Sequence, residues 1–373
     1  VTQFAGAFPA PSWTPPAREP FVPLRPLTLG QLLGGAFRAL RHNPAVILPP
    51  AILLSLISAL ALVGFQQGIA SPLLDSWGSG TGADVGYFWF AVAGIGLLGS
   101  LVGQSLGIAV GLVQQAVSAL DVSHAVIGRR LTPGGARRRS AGLAPRVLGW
   151  AGIALVVLLV VGGLGLALLA VAGVGGPLAA FTAALVVYPG GGVLLAWLGT
   201  KLAVVPSVLV VERARLGTAL RRSWRLTRGQ FWRTFGIRLL CGVMIGIATA
   251  IVSIPVALLA QWATSILAGN GDTGDILAMQ RLAELAGAVV GSVITGVGLV
   301  VTTATDALLY LDLRMRREGL DLELSRFLEQ RRGGTRFDPA ELDPFRPPAD
   351  PRSPAAAPAA ASVPPAGTGS PWS

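Results

Sequence analysis

The sequence predicts an all-α protein: a polytopic membrane helical bundle of about six transmembrane helices in three hairpins, with interfacial amphipathic helices beside it. Three observations predict this. The chain is 52% hydrophobic and 13% charged with a mean hydropathy of +0.65, whereas a soluble domain carries about 25% charged residues. Its apolar runs are long enough to cross a hydrocarbon core that needs about 20 helical residues. Its 29 basic residues, all arginine but Lys201, gather in four of the segments between and outside those runs, and only Arg281 falls elsewhere. That is the segregation of positive charge toward one membrane face.

Taken in order, residues 1–26 are rich in proline (Pro9, Pro11, Pro15, Pro16, Pro20, Pro23, Pro26) and read as an extended, disordered cytoplasmic tail rather than a signal peptide. The membrane domain is expected over 27–330. It opens with a helix in which Thr28 and Gln31 form a capping box and Leu29, Leu32, Leu33, Ala36, Phe37 and Leu40 share a face. Two placements suit that helix: flat in the interface with Arg38 and Arg41 toward headgroups, or packed on the end of the bundle.

The first span runs from Ala45 to Phe65. Gln66 to Gly86, without lysine or arginine, is the expected outer loop. The second span runs from Tyr87, where Tyr87 to Phe90 form an aromatic belt, to about Leu120. Along it Gly99, Gly103, Gly107 and Gly111 recur every fourth residue, a stripe on which a neighbouring helix can approach closely. Asp121 to Arg146 returns to the cytoplasm. The third span, Val147 to Ala172, is joined by the turn Gly173 to Pro177 to a fourth, Leu178 to Val211. Tyr188, Pro189 and the glycines 190–192 interrupt the fourth span, either as a kink or as a broken helix lining a polar site. The fifth span covers Leu239 to Ala263, an outer loop Thr264 to Leu285, and the sixth Gly287 to Leu311 with a second small-residue pair, Gly287 and Gly291. A short helix carrying Leu320, Leu324, Phe327 and Leu328 follows, and residues 331–373, rich in proline and alanine, read as a disordered cytoplasmic tail. The charge pattern places the protein in the inner membrane with both termini in the cytoplasm.

The stretch Glu212 to Arg238 is the most basic loop, and it sets the orientation of its neighbours. Within it Arg221, Arg222, Arg225 and Arg228, beside Trp224, are candidate contacts for anionic lipid headgroups. A membrane or cytoplasmic protein partner is the other occupant such a surface suits. Nucleic acid is not expected, because the arginines sit beside the apolar runs. Lys201 and Asp306 are the ionisable residues deepest in apolar stretches. Either they form an intramembrane ion pair, or Lys201 snorkels to the headgroups.

No catalytic, cofactor-binding or metal-binding residue is expected. His42 and His124 are the only histidines and lie in separate segments, Cys241 is the only cysteine, and the glycine runs 173–177 and 188–192 lack the Lys-Ser/Thr of a phosphate loop. An enzyme would need convergent polar groups inside the bundle, for instance around Gln104, Gln114 and Asp306.

The chain also repeats. Residues 29–41 align with 216–228, matching Leu33 with Leu220, Phe37 with Trp224, Arg38 with Arg225 and Arg41 with Arg228. Leu-Asp recurs at Asp121 and Asp312, so two units of amphipathic helix plus hairpin are expected, with the middle hairpin a weaker third. The segments PLTLGQLLGGAFRALRHNP, ERARLGTALRRSWRLTRGQFWR and YLDLRMRREGLDLEL resemble actinobacterial multipass proteins grouped with the membrane domain of glycerophosphoryl diester phosphodiesterases, over residues 24–328. The resemblance implies a helical membrane domain without the catalytic barrel of those enzymes. The expected role is a noncatalytic membrane domain or scaffold engaging lipid headgroups or partner proteins. The alternative is a small transporter or lipid-handling protein, which a cavity at Tyr188 to Gly192 would favour. Oligomeric state is not legible in the sequence.

Overall fold

A computed structural model describes residues 23, 25–73, 85–126, 142–268, 273–332 and 345. Most of both expected tails lies outside the described residues. Among those described, the regular elements are all helical: α1 (Leu29–His42), α2 (Pro44–Phe65), α3 (Val85–Val126), α4 (Ala144–Val174), α5 (Pro177–Lys201), α6 (Val205–Val211), α7 (Leu216–Thr227), α8 (Phe231–Ala268), α9 (Thr273–Glu318) and α10 (Leu320–Arg332). A π-helical turn, Gln66–Ala70, extends α2. Six of the resulting segments are long and apolar enough to cross a membrane.

The three hairpins pair α2 with α3, α4 with α5 and α8 with α9, and α9 closes the bundle by packing along α2, α3 and α1. With 46 residues α9 is about 69 Å long, well beyond a hydrocarbon core of about 30 Å, so it reaches out of the bilayer. The burial pattern suits lipid as solvent. Val174 (89% exposed) and Leu178 (77%) face outward at the α4–α5 turn, while Asp312, Arg314 and Gln114 are buried. The main core lies at one end, where α1, α6, α7 and α10 gather around the last turns of α3 and α9. This is termed here the arginine-rich end.

The sequence places the helix boundaries short. The predicted outer loop Thr264 to Leu285 is mostly helix, since α8 runs unbroken through Pro255 and α9 begins at Thr273. Leu277, Ala278, Met279, Leu282 and Ala283 are strong helix formers, and only 269–272 separate the two helices. The second span likewise continues beyond Leu120 to Val126. Gly176, at φ +99°, makes the predicted tight turn between α4 and α5.

The predicted interruption at Tyr188 to Gly192 is also displaced. α5 is continuous through Pro189 and the three glycines, and the chain breaks instead at Leu202 to Val204, before α6. In lipid no water competes for the backbone, so one proline is absorbed within a long helix. Pro206, by contrast, sits in the first turn of α6, where its missing N–H costs nothing.

α1 is capped as expected: the Thr28 amide donates to Gln31 Oε1 (3.0 Å) and the Gln31 amide to Thr28 Oγ1 (3.3 Å). It packs on the bundle's end against α9, with Gly35 under Leu308. The repeat is visible in burial. Leu32, Ala36 and Ala39 of α1 are buried, and so are their aligned counterparts Ala219, Ser223 and Leu226 of α7, while Phe37 and Trp224 are exposed at 45% and 41%.

The glycine stripe does less than its spacing suggests. An added Cβ at Gly99 would meet Phe65 at 3.5 Å and one at Gly103 would meet Leu62 at 3.8 Å, but Gly107, Gly111, Gly287 and Gly291 face open space. The close helix crossing is at Gly296, where a Cβ would stand 3.0 Å from both N and Cα of Ile52 in α2. Backbone cannot swing away as a side-chain tip can. Gly296→Val is therefore expected to destabilise the bundle by about 1–3 kcal/mol, whereas Gly107→Ala should be neutral or slightly stabilising. Thermal unfolding in detergent followed by circular dichroism checks both.

Candidate functional site

The site begins with the break after α5. Where the helix ends, carbonyls lose their intrahelical amides and need other donors. Side chains from three helices supply them. Ser223 Oγ of α7 donates to the Lys201 carbonyl (2.8 Å), Gln115 Nε2 of α3 to that of Ala203 (2.9 Å), and Arg238 Nη1 of α8 to that of Gly199 (2.6 Å). Gln115 Nε2 and Arg238 Nε both also reach Asp306 of α9, at 3.2 Å each.

Gln115, Gly199, Ala203, Arg238 and Asp306 line a cavity of about 410 Å³ between α3, α4, α5 and α9. The remaining lining is mostly aliphatic: Leu112, Ile153, Val157, Leu158, Leu195, Leu198 and Leu299. Three donors are left over. Trp150, 6% exposed and part of the lining, has an indole N–H without an acceptor. Gln104 lines the same space, and among the described residues its amide forms no hydrogen bond. Arg238 uses Nε and Nη1 as above, leaving Nη2. Thr302 and Thr303, also in the lining, bond back to the carbonyls of Gly298 (2.9 Å) and Leu299 (2.8 Å). A mostly apolar chamber with a guanidinium in its lining can hold an amphiphile whose head is a hydrogen-bond acceptor.

The predicted Lys201–Asp306 pair does not form. Asp306 takes Arg238 as its cation, and Lys201 Nζ lies 5.3 Å from the ring centroids of both Trp224 and Phe231. A lysine at the end of a helix reaches interfacial aromatics more cheaply than a carboxylate in mid-bundle. Of the polar trio named from sequence, Gln104 and Asp306 line the cavity, but Gln114 is turned away to the Ile47 carbonyl (3.1 Å) and Gln115 takes its place.

Arg238, Gln115 and Trp150 carry no motif that marks them in the sequence. Hydropathy starts the fifth span at Leu239 and leaves Arg238 in the loop, yet α8 starts at Phe231 and carries Arg238 two turns inward. The absence of any proline between Gly229 and Pro255 is the signal that locates it.

The four arginines of α7's neighbourhood separate into two kinds. Arg221, Arg225 and Arg228 are exposed. Arg222 is instead structural: it sits 2.6 Å from Glu212 and 2.7 Å from Glu318. Around them, fully buried Arg314 donates to Tyr310 Oη (3.2 Å), Glu318 (3.0 Å) and the Phe345 carbonyl (3.1 Å), and Tyr310 donates to Glu212 (2.7 Å). Asp312 forms a second node, accepting from the Leu27 amide (2.7 Å), Arg316 (3.1 Å) and Arg233. Asp121, its counterpart in the repeat, accepts from Asn43 (2.9 Å).

Comparison of the chain with family models, curated protein sequences and solved structures returned no match.

A double-mutant cycle distinguishes the two cations. Arg238→Ala and Asp306→Ala are expected to couple by about 0.5–3 kcal/mol in unfolding free energy, while Lys201→Ala and Asp306→Ala should add within about 0.5 kcal/mol.

Proposed function

We propose that this protein is a noncatalytic, lipid-engaging domain of the inner membrane, with both termini in the cytoplasm, which holds the phosphate headgroup of a lipid in the cavity beside Arg238. The observation that carries the reading is the pairing of aliphatic walls with the polar side chains of Arg238, Trp150 and Gln104 in the lining of one membrane-embedded chamber. A guanidinium and an indole N–H suit phosphate oxygens, and the aliphatic lining suits acyl chain. The resemblance of residues 24–328 to the membrane domain of glycerophosphoryl diester phosphodiesterases belongs to the same proposal. Arg221, Arg225 and Arg228 act as an outer electrostatic collar that raises the local concentration of anionic lipid.

Native mass spectrometry of the full chain purified in nanodiscs tests this. The wild type should retain phospholipid, and Arg238→Gln should lower retention by about ten- to a hundredfold, the equivalent of a charged hydrogen bond worth about 1.5–3 kcal/mol. Trp150→Phe, which keeps the ring, should give a smaller loss. The triple change of Arg221, Arg225 and Arg228 to alanine should leave the tightly held lipid in place. Loss of lipid in the triple variant with full retention in Arg238→Gln would overturn the reading.

A further inference from the structure

The polar wall of the cavity continues along α9. Asp306, Thr302, Gly298, Gly291, Gly287 and Glu284 follow one another at helical spacings of three, four or seven residues and so form a single stripe across the membrane. At the end opposite the arginine-rich one the stripe opens into a second cavity of about 620 Å³ between α8 and α9. Glu284 lines it, held by Gln67 and by Gln280 (3.4 Å), and the floor is Gly287 and Gly291.

Between the two cavities the stripe is covered by α8 along the α8–α9 seam: a Cβ on Gly298 would lie 2.5 Å from Cγ2 of Ile245, and one turn nearer the arginine-rich end Cys241 Sγ lies 3.6 Å from Thr305 Oγ1. At Gly287 and Gly291 the seam is unfilled, with nothing within 4 Å of an added Cβ. A seam built only to hold two helices together would fill that space with side chains, because packing in lipid rests on such contacts.

The seam is also open sideways. Only 6% of the most apolar part of α8 is buried inside the protein, and α8 packs against α9 and α5 alone among the longer helices. A solute needing water on all sides would be enclosed by helices. An amphiphile needs polar groups for its head and lipid for its chains, which is what a laterally open seam with polar ends provides.

We propose that the α8–α9 seam is a path by which phospholipid headgroups pass between the two leaflets, with the acyl chains remaining in the surrounding bilayer and Ile245 swinging aside as the gate. The path rests on the headgroup site at Arg238 and adds a second mouth at Glu284. Exchange runs in both directions, down the gradient of each lipid, so it needs no energy source.

The full chain is reconstituted into vesicles of phosphatidylcholine and phosphatidylglycerol carrying a trace of fluorescently head-labelled phospholipid, and dithionite is added to bleach the label it can reach. Protein-free vesicles keep their inner-leaflet label. Wild-type vesicles are expected to lose it, Ile245→Ala vesicles to lose it faster, and Gly291→Leu vesicles to lose it about tenfold more slowly. Gly291 faces open space, so the leucine is accommodated by the fold, and an unchanged thermal midpoint verifies this. Gly298→Leu should slow exchange as well.

Inner-leaflet label that survives in wild-type vesicles as in protein-free ones overturns the path, and so does exchange at the wild-type rate in Gly291→Leu. Release of entrapped inorganic phosphate without exchange of labelled lipid also overturns it, in favour of a free anion. Lipid retained at Arg238 in nanodiscs without exchange in vesicles would leave the binding reading standing and remove only the path.

Discussion

Hydrocarbon offers no hydrogen bond to a backbone carbonyl, and between Gly199 and Ala203 this chain carries carbonyls that take side-chain donors instead of helix amides. Much of the interior is arranged around that deficit. Gln115, Ser223 and Arg238 come from three separate helices to donate there, and Arg238 in turn requires Asp306 as its counter-ion. A charge pair in mid-membrane is expensive, which is why such pairs face a cavity or the bundle interior rather than lipid. Here the pair lines a chamber. The broken helix, the buried ions and the cavity are therefore one feature with a single physical origin.

The arginine-rich end shows positive charge serving two purposes at once. Arg221, Arg225 and Arg228 remain at the surface, where charge resists translocation. Arg222, Arg233, Arg314 and Arg316 bind Glu212, Glu318 and Asp312, and so fasten α6, α7, α8 and the segment before α1 to the end of α9. A hydropathy profile cannot separate the two groups, because both are arginines beside apolar runs. What separates them is the acidic residue that each of the second group meets, which for Arg222 and Arg233 lies in another element and for Arg314 and Arg316 includes a carboxylate one turn away in α9.

The same limit runs through the whole reading. The six spans, their pairing, the capped amphipathic helix and the repeat were legible because each depends on local spacing or on segregation of charge: Thr28 with Gln31, Leu32 with Ala219, the turn at Gly176. Sites made by convergence were not. Gln114 and Gln115 are neighbours that point to different helices, and only the rotation of α3 decides which one enters the cavity. Gly107 and Gly296 are alike in sequence, yet only Gly296 meets a backbone. Pro189 and Pro206 both announce a break, and the one that makes it sits where a new helix starts.

The position of α9 in the chain gives the fold a history. It is the last of the six spans, yet it packs against α1, α2, α3 and α8, and its Asp312 holds the amide of Leu27 at the other end of the sequence. During synthesis the earlier hairpins must enter the bilayer and wait there without their principal neighbour. Until α9 arrives, Asp121 and Gln114 can already find Asn43 and the Ile47 carbonyl, but Arg238 and Arg233 lack the carboxylates of Asp306 and Asp312. The first two hairpins are thus complete in sequence before the helix that joins them, and the bundle is closed only by the last span to be made.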